Sequence, residues 1–507
     1  LRGAILLRDD IGPAMNDALL LWLLVLLPAV LAGGCLLARS PRGALLLASA
    51  GGAAWGGLAA GTAWRVFAGG PLLAAHGWLY LDPLSAYHAV VLALVFAASS
   101  VYAWGYFGVE VARGTLGLAA ARRFGALWFG AAGAMALVLV SNNLGLMWVG
   151  IEATTLLTAF LICVHVSPLA LEATWKYLVV CSVGVAFAFV GTLFVGVSAS
   201  RLGLAGSELL LWTRLHESAG LLSAGSMKLA FLFLLVGYGT KAGLAPLHMW
   251  LPDAHSQAPA PVSALFSGFM LNAALYCILR YIPLVERATG DPGWSGGVLV
   301  AFGLASILVA AAFIVFQQDG KRLLAYHSVE HMGIIALGLG LGGVGTFAAL
   351  WHTLNHALCK ALAFFSVGRL GQMYGTHDLR AMAGAMRRAP LWGAGFFGSV
   401  LALIGVAPFA LFMSELQILR AAADARAFAA LALFLLGVGI VFAGALKHAI
   451  TPAWGDEVTP PVPAPEPVGD AVVVLGGLGL LLVLGLWMPA PLRGALDAAA
   501  LIVGGRP

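Results

Sequence analysis

Seven ionisable residues stand in apolar surroundings where a membrane or core segment would place leucine or valine. Glu152 lies in Leu146-Met-Trp-Val-Gly-Ile-Glu-Ala-Thr-Thr-Leu-Leu157, apolar on both sides. Lys241 lies deep in a second apolar stretch, five residues before Pro246, and Lys176 sits near the start of a third. His352, His356 and Lys360 share one stretch, and Glu415 follows Pro408 in another. A charged side chain at the middle of a bilayer costs at least about 2.5–3.5 kcal/mol, so each is a functional candidate unless it snorkels to a helix end. For Glu152 snorkelling is implausible; Lys176, close to its helix start, is the one that an interfacial position would also suit.

An acid and two bases on neighbouring helices neutralise one another, and that supplies a mechanism. A lysine beside a carboxylate keeps its proton, whereas one left alone in low dielectric gives it up readily. If Lys176 moves between Glu152 and Lys241, Lys241 loads a proton from one side and discharges it to the other.

His352, His356 and Lys360 are spaced i, i+4, i+8, which puts them on one helical face over about 12 Å. Imidazoles titrate near neutral pH, so the stripe suits a proton relay. A His-x-x-x-His pair also chelates zinc, but no Glu lies inside this pair and the spacing reveals no third ligand, so no metal site is expected. His327, Glu330 and His331 lie in Ala325-Tyr-His-Ser-Val-Glu-His-Met-Gly333, within a few turns of Lys321-Arg322. They are expected as an accessory, partly solvated cluster. Glu415 is expected as the exit carboxylate, and the whole set as a charged axis in the membrane plane.

The elements that hold these groups must be membrane helices. Hydrophobic residues make up 61% of the 507 positions and charged residues only 10%, with a mean hydropathy of +0.96. A soluble surface needs roughly 25% charge. The apolar runs are continuous, without period two, which selects helices over a barrel. The net charge of +5 is carried by loop residues and does not point to nucleic acid. Five cysteines are scattered without a CxxC spacing, so no redox centre or other cofactor is expected in the chain.

Fourteen spans are expected: 17–38, 43–64, 85–107, 124–141, 143–165, 172–198, 228–250, 258–284, 296–317, 322–341, 344–370, 391–418, 427–449 and 471–489. The first lacks a cleavage site and reads as a retained helix. The clusters Arg122-Arg123, Lys321-Arg322 and Arg387-Arg388 fall on one side, which points to that side as cytoplasmic. Pro246 and Pro408 break the seventh and twelfth spans, each at the fourth position of a run of five, spans 4–8 and 9–13. Broken helices at matching positions suggest two inverted five-helix repeats around a cavity. The chain then divides into residues 1–123 (three spans with their loops), 124–284 and 296–449 (the repeats), and 450–507. The last holds the proline-rich linker Thr459-Pro-Pro-Val-Pro-Ala-Pro-Glu-Pro467 and a final span.

The stretch Gly239-Thr-Lys-Ala-Gly-Leu-Ala-Pro-Leu-His-Met-Trp-Leu-Pro-Asp-Ala-His-Ser-Gln-Ala-Pro-Ala-Pro-Val-Ser-Ala-Leu265 is too long to match by chance. With Asp319-Gly-Lys-Arg-Leu-Leu-Ala-Tyr326, His352-x-x-x-His356-x-x-x-Lys360 and Leu81-Asp-Pro-Leu-Ser85, it resembles the antiporter-type membrane subunits of respiratory complex I, energy-converting hydrogenases and sodium/proton antiporters. The similarity spans about residues 75–450. The run from Tyr326 to Gly333 is most similar to the F-type membrane component of hydrogenase-4 complexes.

The resemblance implies that Glu152 and Lys176 form the family's coupling ion pair, Lys241 is the central lysine, His352 and His356 are the relay, and Glu415 is the terminal residue. Three features depart from the pattern. Ser267 and Asn272 stand where some members place a histidine or lysine, Glu415 replaces the terminal lysine of the distal complex I subunit, and that subunit's long lateral helix is missing. The last two favour a shorter paralogue.

The implied function is proton translocation in the bacterial or archaeal cytoplasmic membrane, driven by partner membrane subunits and soluble redox subunits. The competing expectations are a cation/proton antiporter component and the membrane subunit of a proton-driven inorganic-carbon uptake complex.

Overall fold

In a bilayer each backbone N–H and C=O must find its partner inside the protein, and the chain answers with helices throughout. The computed structural model describes residues 11–204, 206–456, 460–462 and 468–504. The helices α1 (Ile11–Leu37), α2 (Pro41–Gly69) and α3 (Pro83–Ala112) come first. Between α2 and α3 a hairpin pairs β1 (Leu72–Ala74) antiparallel with β2 (Leu79–Leu81). Next come α4 (Leu118–Val140), α5 (Leu144–Ile162), α6 (Pro168–Ser200), the short α7 (Trp212–Glu217) and α8 (Ala224–Ala242). Two short helices, α9 (Trp250–Gln257) and α10 (Ala260–Leu265), lead through a π-turn at Phe266–Met270 into α11 (Leu271–Thr289).

The second half holds α12 (Pro292–Ile314), α13 (Gly320–Leu341), α14 (Val344–Tyr374), α15 (Ala385–Arg388), α16 (Pro390–Leu403), α17 (Ala410–Asp424) and α18 (Phe428–Trp454). Then α19 (Val468–Leu486) packs on α14, α16 and α17, and α20 (Ala490–Val503) on α3 and α14. The α20 helix has no counterpart among the fourteen expected spans. Most of the expected proline-rich linker lies outside the described residues.

Local sequence explains several starts. Ser40-Pro41, Asp82-Pro83, Ser167-Pro168 and Asp291-Pro292 each pair a side-chain cap, which accepts a first-turn N–H, with a proline whose missing N–H is not needed there. Among the described residues, ten helices are long and apolar enough to cross a membrane. Four other expected spans coincide with α8, α13, α14 and the α16–α17 pair, whose buried polar groups or break lower their hydropathy. The protein is therefore an all-helical, multi-pass membrane protein.

Both expected breaks are present, and both begin before the proline. Helix α8 stops at Ala242, short of the expected residue 250, because Gly243 takes a left-handed φ of 78° three residues ahead of Pro246. Gly405, with φ 69°, stands three residues ahead of Pro408 between α16 and α17. A residue preceding proline is disfavoured in helix, and glycine alone enters the left-handed region without strain. Both X–Pro bonds are cis.

The exterior is apolar, and a set of polar and ionisable groups is buried within a largely apolar interior. Trp175, Val179, Val183, Phe187 and Val197 of α6 are exposed, while Lys241, His255, His327, His331, His352, His356 and Lys360 are wholly buried. Helix contacts rely on small residues rather than on a hydrophobic driving force, as lipid requires. At the α6–α8 crossing, a Cβ on Gly237 would lie 2.4 Å from the backbone N of Ala188.

Candidate functional site

The site divides at the enclosed α10–α11 rod. In the first half, the α8 helix carries Lys241 to its last turn, beside the break. Lys241 Nζ donates to Thr155 Oγ1 at 3.0 Å and to Tyr177 OH, and it sits 4.5 Å from the Tyr177 ring centroid. Tyr177 OH in turn meets Thr158 Oγ1 at 2.5 Å. Hydroxyls and a π face thus solvate the ammonium, and no carboxylate forms an ion pair with it among the described residues. Glu152, one turn from Thr155 on α5, accepts from Ser182 Oγ at 3.0 Å through Oε1, and its Oε2 is buried without a partner.

Lys176 is elsewhere. It is 48% exposed and makes ion pairs with Glu172 at 2.7 Å and Asp253 at 3.0 Å, rather than with Glu152. Adjacent residues on a helix do not face the same way, so Tyr177 turns inward while Lys176 turns out. Asp253 is shared: its other oxygen binds Arg322 Nη1 at 2.6 Å at the start of α13. The motif around Asp253 stands out in the sequence, but nothing in it assigns the aspartate a part.

Between the halves, Ser267 in the π-turn and Ser328 on α13 join their hydroxyls at 2.7 Å. The π-turn lets a side chain reach across where regular helix would not, a feature frequent at functional sites. His255 lies wholly buried on the same boundary, stacked on Phe364 with ring centroids 4.9 Å apart and with neither nitrogen hydrogen-bonded.

The second half is a histidine cluster. His331 Nδ1 lies 2.9 Å from His352 Nε2, and His352 Nδ1 lies 2.8 Å from Ser414 Oγ. The His356 ring centroid is 5.2 Å from that of His331. His327 Nδ1 meets Glu330 at 2.9 Å, and Lys360 Nζ donates to the carbonyl of Leu324. Helix α17 brings Glu415 against the second break, where a Cβ on Gly405 would lie 2.5 Å from Glu415 Oε2.

The expectation of partial solvation for His327, Glu330 and His331 is corrected: their side chains are 0–2% exposed. Their burial puts them inside the bundle, with His331 linking α13 to α14. Among the described residues two groups of three potential metal ligands do form, though neither contains the His352–His356 pair. His331, His352 and Glu415 offer ligand atoms within 4.8 Å of one another, as do His327, Glu330 and His331. The first pair of imidazoles already engages in the hydrogen-bond chain to Ser414.

A further buried pair is not evident from the sequence. Arg280 on α11 binds Asp82 in two contacts, at 2.6 and 2.7 Å, and also donates to Tyr276 OH at 2.8 Å. Burial opposes ionisation of Asp82, yet the Arg280 guanidinium and the Ser85 N–H hold its carboxyl below the usual range. Arg280 lies inside an apolar span, and that was the signal available.

Fold and site together define a class: a multi-pass membrane protein built around a line of buried ionisable side chains. The NADH:quinone oxidoreductase/Mrp antiporter transmembrane family matches residues 141–441, and the chain belongs to it. It is 38% identical to the hydrogenase-4 component F homolog of Methylacidiphilum infernorum over 68% of this chain and 72% of the relative. It is 33% identical to hydrogenase-4 component B of Escherichia coli over 66% of this chain, spanning half of that relative. The fold matches a chain of an archaeal membrane-bound sulfane sulfur reductase with a TM-score of 0.83 at 23% identity, covering 97% of this chain and 98% of that one. It matches a chain of the Mrp complex from Dietzia with a TM-score of 0.82 at 22% identity, covering 96% and 98%.

Proposed function

We propose that this chain translocates protons across the membrane as one subunit of a redox-driven complex I-like or membrane-bound hydrogenase assembly. The observation that carries the proposal is Lys241, a wholly buried lysine hydrogen-bonded to Thr155 and Tyr177 beside a break in its helix. A lysine so placed changes its proton affinity when a nearby charge moves. Glu152 and Lys176 are the mobile charge, His331, His352, His356 and Lys360 the relay, and Glu415 the exit. His327 and Glu330 feed the cluster.

The repeat reading is supported by Gly243-Leu-Ala-Pro246 and Gly405-Val-Ala-Pro408, the same break in two helices. We take residues 124–284 and 296–449 as the two inverted repeats, with fourteen crossings in all, residues 1–123 as a flanking bundle and 450–507 as the closing segment. Names of the relatives support neighbouring membrane subunits as partners, with soluble redox subunits supplying the drive.

The test is proton uptake per electron by the intact complex in proteoliposomes, for Lys241→Ala and Glu152→Gln. Both variants are expected to lose pumping; wild-type pumping in both would overturn the path. The cation/proton antiporter reading, supported by the Mrp likeness, requires sodium-dependent proton movement without a redox substrate.

A further inference from the structure

The coupling lysine and the acid read as its partner are not paired, and a third residue explains where the lysine has gone. Asp253 Oδ2 holds Lys176 Nζ at 3.0 Å, while Oδ1 holds Arg322 Nη1 at 2.6 Å. One carboxylate therefore clamps cations from α6 and α13, the two halves of the molecule. Glu172, one turn before Lys176, adds a second acidic contact at 2.7 Å. Glu152 meanwhile is held by Ser182 on α6 and keeps one buried oxygen free.

We propose that Asp253 is a positioning residue that seats Lys176 away from Glu152 and couples its release to α13. This rests on the proton-translocation proposal and names the second position of its switch. Two seats for one cation make a two-state element, and a switch needs both.

Exchange requires Lys176 to swing along and around α6: Ser182, which marks the Glu152 carboxylate, lies six residues further on the same helix, about 9 Å along its axis and roughly a third of a turn round it. Asp253 sits at 24% exposure and Lys176 at 48%. Such a partly solvated pair is weak enough to break and re-form. Arg322 keeps Asp253 from becoming an unpaired carboxylate when Lys176 leaves.

Arg322 also opens α13, the helix that carries Ser328, His327, Glu330 and His331. The α9 helix, which carries Asp253, packs on both α6 and α13. A change of partner at Asp253 thus reaches the second half through a side chain and a packed helix rather than through solvent. Coupling through such a shared element is reciprocal: whatever repositions α13 changes how firmly Asp253 holds Lys176.

The test uses the intact complex in proteoliposomes, read as protons moved per electron. Asp253→Asn is expected to lower that ratio at least about fivefold, with electron transfer retained, and Asp253→Glu to restore most of it. A wild-type ratio in Asp253→Asn overturns the proposal, as does an Asp253→Glu variant as impaired as the amide, which would mark a packing role. If Asp253→Asn fails to assemble, Arg322→Gln decides: a lowered ratio supports the clamp and an unchanged one overturns it. Lys241→Ala measured alongside separates the two levels. Wild-type pumping there and in Glu152→Gln removes the proposed path itself, whereas wild-type pumping in the Asp253 or Arg322 variant alone removes only the clamp.

Discussion

His331 Nδ1 and His352 Nε2 lie 2.9 Å apart, so a hydrogen bond between two imidazoles joins α13 to α14 in the interior of the second half. Because His352 also meets Ser414 on α17, three helices share one chain of exchangeable protons. His331→Gln keeps a polar side chain of similar size but cannot accept and release a proton near neutral pH. Proton movement per electron in the reconstituted complex is expected to fall at least about tenfold. A variant that still pumps at the wild-type level would remove His331 from the path.

Asp82 and Arg280 hold α3 to α11 by a buried ion pair, and breaking it is expected to cost stability. Removing one member of a buried pair leaves the other uncompensated, at about 3–5 kcal/mol. Asp82→Ala is therefore expected to lower the midpoint of thermal unfolding in detergent markedly. The sign of the pH dependence follows from the lowered carboxyl. Its stabilisation is complete above the ordinary carboxyl value of 3.8 and is lost as pH falls through the lower folded value. The gap between wild type and variant should be constant from neutrality to mildly acid pH and narrow only below that range.

Gly237 sets the closeness of α6 and α8. A methyl there would meet the Ala188 N at 2.4 Å and the Gly184 carbonyl at 2.7 Å, both backbone, so the helices must part. Overpacking of this kind costs about 1–3 kcal/mol. Lys241 lies one turn further along α8, so its contact with Tyr177 should loosen as well. Gly237→Ala is expected to lose both stability and pumping. Gly57, with nothing within 4 Å of an added Cβ, is the matched control and should tolerate alanine. Equal melting temperatures for the two variants would sink the close-packing account.

Much of the site was legible because charge in an apolar span has few explanations. Glu152, Lys241, His352, His356, Lys360 and Glu415 could be picked out by the penalty of placing them in lipid. The breaks were legible through Pro246 and Pro408. Their true start, however, is set by the left-handed Gly243 and Gly405, whose neighbours in sequence look as helical as any. The His327, Glu330 and His331 group was harder, since proximity to Lys321-Arg322 along the chain says nothing about which way a helix face turns.

What the sequence by itself determined is the class: continuous apolar runs admit only membrane helices, and the backbone's need for internal hydrogen bonds leaves no other fold. It also determined which residues are too polar for their surroundings to be incidental. The choice of partner was decided only by the tertiary structure. Lys176 faces Asp253 and Glu172 rather than Glu152, Asp253 reaches Arg322, Arg280 finds Asp82, and His331 meets His352. Each of these except the local Glu172 contact joins residues remote in the chain, and the angle at which each helix packs fixes which faces meet. That angle depends on small-residue crossings such as Gly237 on Ala188, a property of two surfaces together rather than of either segment alone.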